Sequence, residues 1–408
     1  MPENSSWTTA CRAAFDQKRP VILLDDTDSS GRSVVLFPAE NATDEIINEC
    51  IRLSNGASTH VALTPERAEQ FLLEPMGFNR NVHQLKRGVT PRELVSVEAR
   101  RGVTTGISAG DRATTVRTLA AKNPKTRDLV KPGHVFPVRV REGTILVRSA
   151  LPEGAIDIVS IAGHNPIACY FELFSEIGEY LPQEQVRETA NASGISLVTI
   201  GELIEHRLQN EQVVQRQTEV KLPTNHQSDM RAYLYSSKIH KGDHIAIVKG
   251  TITPEKIVLT RVHPEQTFHD VFGPADSFGN GPLERALTEI GKAEVGVLVY
   301  LRRPDTFPLT QELRIMGTAD RRPQGASMKE FGLGAQILRD LGVRKIDLLS
   351  SSGAPEAGLA RYGLTVVHQR PLGADYESLE GVENLAVEKN AVKDNTANNN
   401  SERSSSHE

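Results

Sequence analysis

Apolar positions along the chain alternate between strand-like runs and helical spacing. Residues 20–24 (PVILL) form a short apolar run that ends in Asp25 and Asp26. A turn-rich stretch follows, and residues 34–37 then form a second run, so the pair reads as a hairpin. Over residues 44–53, Ile46, Ile47, Cys50 and Ile51 recur at helical spacing. The phrase HVALTPERAEQFL predicts a strand, a Thr64 cap, Pro65 at the first helical position and a helix. Residues 102–120 (GVTTGISAGDRATTVRTLA) predict a strand, a glycine-containing loop and a helix, and residues 196–212 predict a strand leading into a helix near residue 201. The polar stretch 210–221 is a linker or an edge strand, after which DHIAIVKG, KIVLTRVH and VGVLVYLR give strands. MKEFGLGAQILRDLGVRKIDLLSSS predicts a helix closed by Gly342 and followed by a strand.

This alternation predicts an α/β (α+β) chain of two domains. The expected boundaries are an N-terminal extension at 1–19, a first domain at 20–208 and a second at 216–373. Residues 387–408 carry almost no apolar side chains and are expected to be a disordered tail, since nothing there offsets the entropy of ordering.

Length and composition fit this division: 408 residues, 38% hydrophobic and 24% charged, suffice for two cores. A net charge of -5 supplies no global basic field, so neither nucleic acid nor an anionic membrane is an expected partner. No run approaches the roughly 18 apolar residues of a spanning helix, and the first residues lack the apolar segment of a signal peptide, so the expected location is cytoplasmic. Cys11, Cys50 and Cys169 are odd in number and far apart, which predicts reduced, inert thiols.

Several longer phrases carry more specific information. VALTPERA (61–68), GVTTGISAGDRATTVR (102–117), LVKPGHVFPVRVREGTILVR (129–148) and VTIGELI (198–204) resemble the dihydroxybutanone phosphate synthase family. VKLPT (220–224), GDHIAIVKG (242–250), LTRVHPE (259–265), LERALTEI (283–290) and ILRDLGVRKIDLLSSS (337–352) resemble the GTP cyclohydrolase II family. In this order the two halves resemble the fused protein of riboflavin synthesis. The resemblance implies a synthase-like domain, a cyclohydrolase-like domain and pairing as a homodimer through the first.

It also implies two chemistries, and this sequence departs from both. The synthase converts ribulose 5-phosphate to dihydroxybutanone phosphate and formate with magnesium, a hard ion that takes carboxylate oxygens. The family's acidic loop, Asp-Arg-Glu-Asn-Glu-Gly-Asp, corresponds to Asp28, Ser29, Ser30, Gly31, Arg32, Ser33 and Val34, so the metal glutamate falls on Ser30. The metal histidine of the Arg-x-Gly-His-Thr-Glu phrase falls on Leu151. What survives of the sugar-phosphate shell is His134, Arg148, Glu172, Thr104, Thr105, Asp111 and Arg112. These residues either still hold a phosphate without metal or serve the fold, with residues 104–112 capping a helix and Asp111 pairing with Arg112.

The cyclohydrolase opens the purine ring with a zinc-bound water, the zinc held by Cys-x10-Cys-x-Cys. Those positions are Gln266, Ser277 and Gly279, and no cysteine follows Cys169. The base and nucleophile of the Asp-Glu-Arg phrase line up with Ser327 and Lys329. Arg261, His263 and Glu265 remain from the triphosphate-facing loop and otherwise read as a solvated pair near a strand end. No cofactor is expected. The preferred reading is a catalytically degraded homologue that binds a sugar phosphate, or an active pathway homologue, in a regulatory or scaffolding role. The competing reading is an enzyme with a remodelled site, in which Arg32 and Arg302 are candidates for new anion contacts.

Overall fold

The computed structural model describes residues 6–27, 31–76, 93–222, 229–238, 242–272, 281–303, 327–350, 359 and 362–372. These divide into two compact units. The first comprises Met1–Gln215 with Ser237–Lys241 and Ser327–Leu333; the second comprises Arg216–Ser236, Gly242–Ala326 and Gly334–Glu408.

The first unit opens with helix α1 (Ser6–Asp16). The segment expected as an extension therefore holds a helix, and Cys11 and Phe15 on it are buried. The predicted hairpin follows as β1 (Val21–Leu24) and β2 (Ser33–Pro38), antiparallel in the register Leu24↔Ser33. Every residue of both strands is buried, as a strand covered on both faces requires. Next come α2 (Asp44–Leu53), capped by the Thr43 side chain, then β3 (Thr59–Leu63) and α3 (Pro65–Gln70), capped by Thr64 with Pro65 in its first turn. The strand expected at the start of residues 102–120 lies instead at β4 (Val97–Ala99). Gly102 and Gly106 have φ of +77° and +79°, which turn the backbone out of extended geometry before α4 (Ala109–Leu119). Then follow β5 (Leu129–Arg139), α5 (Thr144–Val147), α6 (Leu151–Ile161), β6 (Ile167–Glu172), α7 (Gln183–Ser193), β7 (Leu197–Thr199) and α8 (Ile200–Asn210). The seven strands form one mixed sheet in the order β4-β5-β3-β6-β2-β1-β7. Helix α6 is buried from Leu151 to Val159, and it packs on β6, β2, β3 and β1.

Helix α8 begins in a capping box. The Thr199 side chain accepts from Glu202 N at 3.2 Å, and Glu202 Oε2 accepts from Thr199 N at 2.9 Å. Replacing Thr199 with alanine removes one of these bonds and is expected to cost about 1 kcal/mol, read as a lowered midpoint in urea.

The second unit is also a seven-stranded sheet, in the order β14-β13-β11-β12-β10-β9-β8. One side of it comprises β8 (Val214–Lys221), β9 (Arg231–Ser237) and β10 (Asp243–Lys249), with β9 and β10 antiparallel. The polar stretch 210–221 thus supplies the edge strand, exposed along nearly its whole length. Its parallel side comprises β11 (Ile257–Pro264), β12 (Gly296–Leu301), β13 (Lys345–Ser350) and β14 (Thr365–Pro371). The helices are α9 (Thr267–Val271), α10 (Pro282–Lys292) and, from Gly334 on, α11 (Met328–Asp340). Ala286 and Ile290 of α10 join Met230, Leu298, Leu349 and Leu372 in a buried core. Gly342, at φ +89°, follows α11 in the left-handed conformation that ends a helix. Among the described residues no helix is long and apolar enough to cross a membrane. The expected tail at 387–408 lies outside the described residues.

Candidate functional site

The surviving polar residues of the first unit fall into three local sets. The first is built around Glu98, 7% exposed on the short strand β4. Its Oε2 accepts from the His134 backbone N at 3.2 Å and from His134 Nδ1 at 2.9 Å, while its Oε1 lies 3.1 Å from Thr115 Oγ1. Two glycines make room for it. A Cβ on Gly106 would lie 1.9 Å from Glu98 Oε2, and one on Gly133 would lie 2.1 Å from the Val97 carbonyl. Asp111 sits one helical turn before Thr115 and accepts from Thr104 Oγ1 at 2.9 Å and Gly106 N at 3.0 Å. The Thr104 hydroxyl in particular holds the Asp111 carboxyl below its usual range.

The expected Asp111–Arg112 pair is not how the structure uses these residues. Neighbours on a helix face different ways, and Arg112 instead reaches Thr59 Oγ1 at 3.2 Å while its Nε, buried, has no hydrogen-bond partner. The capping alternative holds in a modified form: Ser108 Oγ caps α4 by accepting from Asp111 N at 3.1 Å.

The second set lies where β2 begins beside the end of β6, with Val34 opposite Glu172. Arg32 Nη2 is 3.1 Å from Glu172 Oε1, and its guanidinium lies 5.4 Å from the centroid of the Tyr180 ring. Gly31, at φ +67°, lets this loop lie close to the segment before α7: a Cβ there would meet the Leu181 carbonyl oxygen at 2.4 Å. Ser30 lies outside the described residues. Leu151 is 4% exposed in the first turn of α6.

The third set surrounds Glu153 and Asp157, one turn apart on the buried helix α6. Arg148 pairs with Glu153, which also accepts from Arg141 N at 3.2 Å. Asp157 accepts from Thr144 Oγ1 at 2.6 Å, Ile145 N at 3.2 Å and Arg207 Nη1 at 2.9 Å. Burial holds the Asp157 carboxyl above its usual range against the pull of Arg207. Lys329 lies near enough to this group to feel both carboxylates. Ser327–Leu333 clusters with the first unit, and burial pushes the Lys329 amine down to about 8 although Glu153 and Asp157 pull it up. Ser327 forms a capping box: its N donates to Glu330 Oε2 at 2.6 Å, and its Oγ accepts from Glu330 N at 3.4 Å.

In the second unit, of the residues expected as a solvated pair, Arg261 and His263 are buried and Glu265 is half-buried. Arg261 is 8% exposed and donates from Nη1 to the Leu349 carbonyl at 3.0 Å; burial, reinforced by Arg285, pushes its guanidinium down to about 10. His263 Nε2 lies 2.8 Å from Asp270 Oδ1, and the ring stacks on Tyr300 at 5.7 Å. Asp270 Oδ2 accepts from the Tyr300 hydroxyl and from Gln266 N, both at 2.9 Å. Glu265 Oε2 accepts from Arg303 N at 2.8 Å, and Arg302 N donates to His244 Nδ1 at 3.2 Å. Gln266 is buried, and Ser277 and Gly279 lie outside the described residues. Among the described residues no three His, Cys, Asp or Glu side chains are grouped as a metal site. The three cysteines are buried and free, and burial pushes the Cys11 thiol up to about 12.

Glu98, Asp157, Arg207 and Asp270 escape the sequence reading. For Asp157 a signal exists: acids at 153 and 157 within the apolar phrase LPEGAIDIV face one side of a buried helix, and buried carboxylates require cations. Ser327 and Glu330 likewise carry the S-x-x-E spacing of a capping box. Nothing local marks Glu98 or Asp270.

Comparison with known proteins matches both halves. Residues 9–206 match the family of 3,4-dihydroxy-2-butanone 4-phosphate synthase, and residues 215–371 match that of GTP cyclohydrolase II. The monofunctional riboflavin biosynthesis protein RIBA 2, chloroplastic, of Arabidopsis thaliana is 34% identical over 359 residues, covering 86% of this chain and 74% of that protein. The riboflavin biosynthesis protein RibBA of Salinispora tropica is 33% identical over 363 residues, covering 86% and 89%. Among solved structures, RibBX of A. baumannii, described as a two domain 3,4-dihydroxy-2-butanone 4-phosphate synthase, superposes with a TM-score of 0.73 at 28% identity, over 90% of this chain and 99% of that one.

Proposed function

This chain belongs to the family of riboflavin biosynthesis proteins that join a 3,4-dihydroxy-2-butanone 4-phosphate synthase domain to a GTP cyclohydrolase II domain, and we propose that it is a catalytically degraded member that binds a sugar phosphate without metal. The observation that carries this reading is the Arg32–Glu172 ion pair. In the family's acidic loop the position of Arg32 is a glutamate, so an arginine, permanently charged, stands where acid would gather around a divalent ion. Glu172 is thereby neutralised, and Leu151 offers no lone pair. A magnesium ion does not fit this donor set. Zinc does not fit the second unit either, because Gln266 is a neutral oxygen donor and no thiolate is available after Cys169.

Arg112 and Arg148 retain the donor chemistry for a phosphate monoester, which guanidinium and backbone donors bind without a metal. Such a protein would act on riboflavin synthesis by regulation or scaffolding, as a homodimer or with an active homologue. The competing reading is favoured by the likeness to RibBX, whose description is that of a synthase. Thermal unfolding with ribulose 5-phosphate, in EDTA and in magnesium, together with an assay for formate, separates the two. We expect no formate and the same melting shift in both conditions. At about 100 times the Kd the ligand adds about 2.7 kcal/mol, a shift of roughly 5–10 °C for a domain of this size. Magnesium-dependent formate release would establish the remodelled enzyme instead.

A further inference from the structure

We propose that Glu98 is a positioning residue that fixes the His134 ring so that its Nε2 accepts a hydrogen bond from a ligand hydroxyl, leaving the phosphate to other groups. This rests on the sugar-phosphate reading above for the ligand, but the orientation of the ring follows from geometry alone. The His134 Nδ1 lies 2.9 Å from Glu98 Oε2, and an ionised carboxylate only accepts, so Nδ1 carries the proton. In the neutral ring the other nitrogen is then the acceptor, a tautomer set by the partner just as in carboxylate–histidine pairs elsewhere. Glu98 is itself immobilised. It is 7% exposed, holds the His134 backbone N with the same oxygen that holds Nδ1, and meets Thr115 Oγ1 through the other. Thr115 in turn accepts from Ala99 N at 3.0 Å.

The glycines complete the case for a built arrangement. Gly106 lies where any Cβ would overlap the Glu98 carboxylate, and Gly133, next to His134, lets β5 press against the Val97 carbonyl. Gly133 N is held by Ser96 Oγ at 3.2 Å. The outcome is a carboxylate almost fully enclosed, 10% exposed at its side chain, carrying a ring that is 46% exposed. A core histidine satisfying its own polarity would be buried along with its partner. Here only the partner is buried and the ring faces outward, the arrangement expected of a side chain oriented for something that arrives from solvent.

Glu98→Gln separates orientation from charge. Its amide oxygen can accept from both His134 donors while its NH2 donates to Thr115 Oγ1, so every bond of the set survives. Glu98→Ala removes them. Two readouts on the full chain test the proposal: the His134 tautomer, from long-range proton–nitrogen spectra, and affinities for ribulose 5-phosphate and for inorganic phosphate. The wild type and Glu98→Gln are expected to show the Nδ1–H tautomer, and Glu98→Ala to shift toward Nε2–H. Glu98→Ala and His134→Ala should weaken ribulose 5-phosphate about tenfold, the loss of one hydrogen bond of about 1.4 kcal/mol, and leave inorganic phosphate unchanged. Glu98→Gln should stay within about twofold of the wild type. An unchanged tautomer in Glu98→Ala would overturn the positioning role even if no sugar phosphate binds, and a parallel loss of inorganic phosphate would overturn the hydroxyl contact. Absence of ribulose 5-phosphate binding by a wild type with the expected tautomer would overturn the ligand reading alone.

Discussion

Replacing Arg207 with leucine is expected to cost about 3–5 kcal/mol of stability in the first unit, the scale on which removing one partner of a buried ion pair destabilises a protein. The magnitude follows from what is left behind. Asp157 is 6% exposed in the middle of a helix whose other residues are largely apolar, and Arg207 is its cation at 2.9 Å. Arg207 also holds Thr144 and Gly143, closing the turn before α5, and reaches Glu211 through its Nε at 2.6 Å. Without it, Asp157 keeps two neutral donors and a charge that the surroundings cannot solvate.

The pH dependence has a definite sign. The Asp157 carboxyl already lies above its unfolded value because burial outweighs Arg207, so the native state binds more protons than the unfolded state between those two values. Its contribution is greatest below the unfolded carboxylate pKa and is lost as pH rises through the folded one. Removing Arg207 raises the folded value further, so the deficit of Arg207→Leu should be smaller in mildly acidic solution than at neutral pH. Urea unfolding at both pH values checks this. The double variant Asp157→Leu, Arg207→Leu should recover much of the loss, since a buried pair exchanged for apolar side chains is often near neutral.

In the second unit the corresponding expectation is that Asp270→Ala destabilises by about 3–5 kcal/mol, because it strips three buried donors of one acceptor. His263 Nε2, the Tyr300 hydroxyl and Gln266 N all converge on Asp270, and His263 and Asp270 are each 3% exposed at their side chains. His263 Nδ1 already has no hydrogen-bond partner, so the ring would lose its remaining polar contact. Asp270→Asn retains one acceptor oxygen and should cost less than half as much. Burial, followed by Asp270, holds the Tyr300 phenol far above its usual range. A spectroscopic titration of the tyrosines should therefore show one phenolic group ionising earlier in Asp270→Asn than in the wild type. Unchanged unfolding of Asp270→Ala would mean that water satisfies this cluster.

Several helix ends and strands were legible in the chain because their signals are local, whereas α1 and the placement of β4 were not. Thr64 with Pro65, the T-x-x-E of residues 199–202 and Gly342 each mark a helix end through groups that the backbone within a few residues must satisfy. The apolar runs at β1, β2 and, apart from Tyr300, β12 are buried throughout. That Leu151 and Gln266 offer neither an imidazole nor a thiolate was equally legible, because a side chain carries the same donor atoms in any fold. The sequence also suggested pairing the neighbours Asp111 and Arg112, and here it misled, since adjacent helix positions diverge and each side chain found a partner elsewhere.

Those partners are brought together by tertiary packing. Glu98 meets His134 across 36 positions, Arg32 meets Glu172 across 140, and Arg207 meets Asp157 across 50. None of these separations has a period that a chain pattern could reveal. Each is set by strand register and by helices crossing a sheet, and for Arg207 with Asp157 burial also removes the water that would otherwise satisfy both groups.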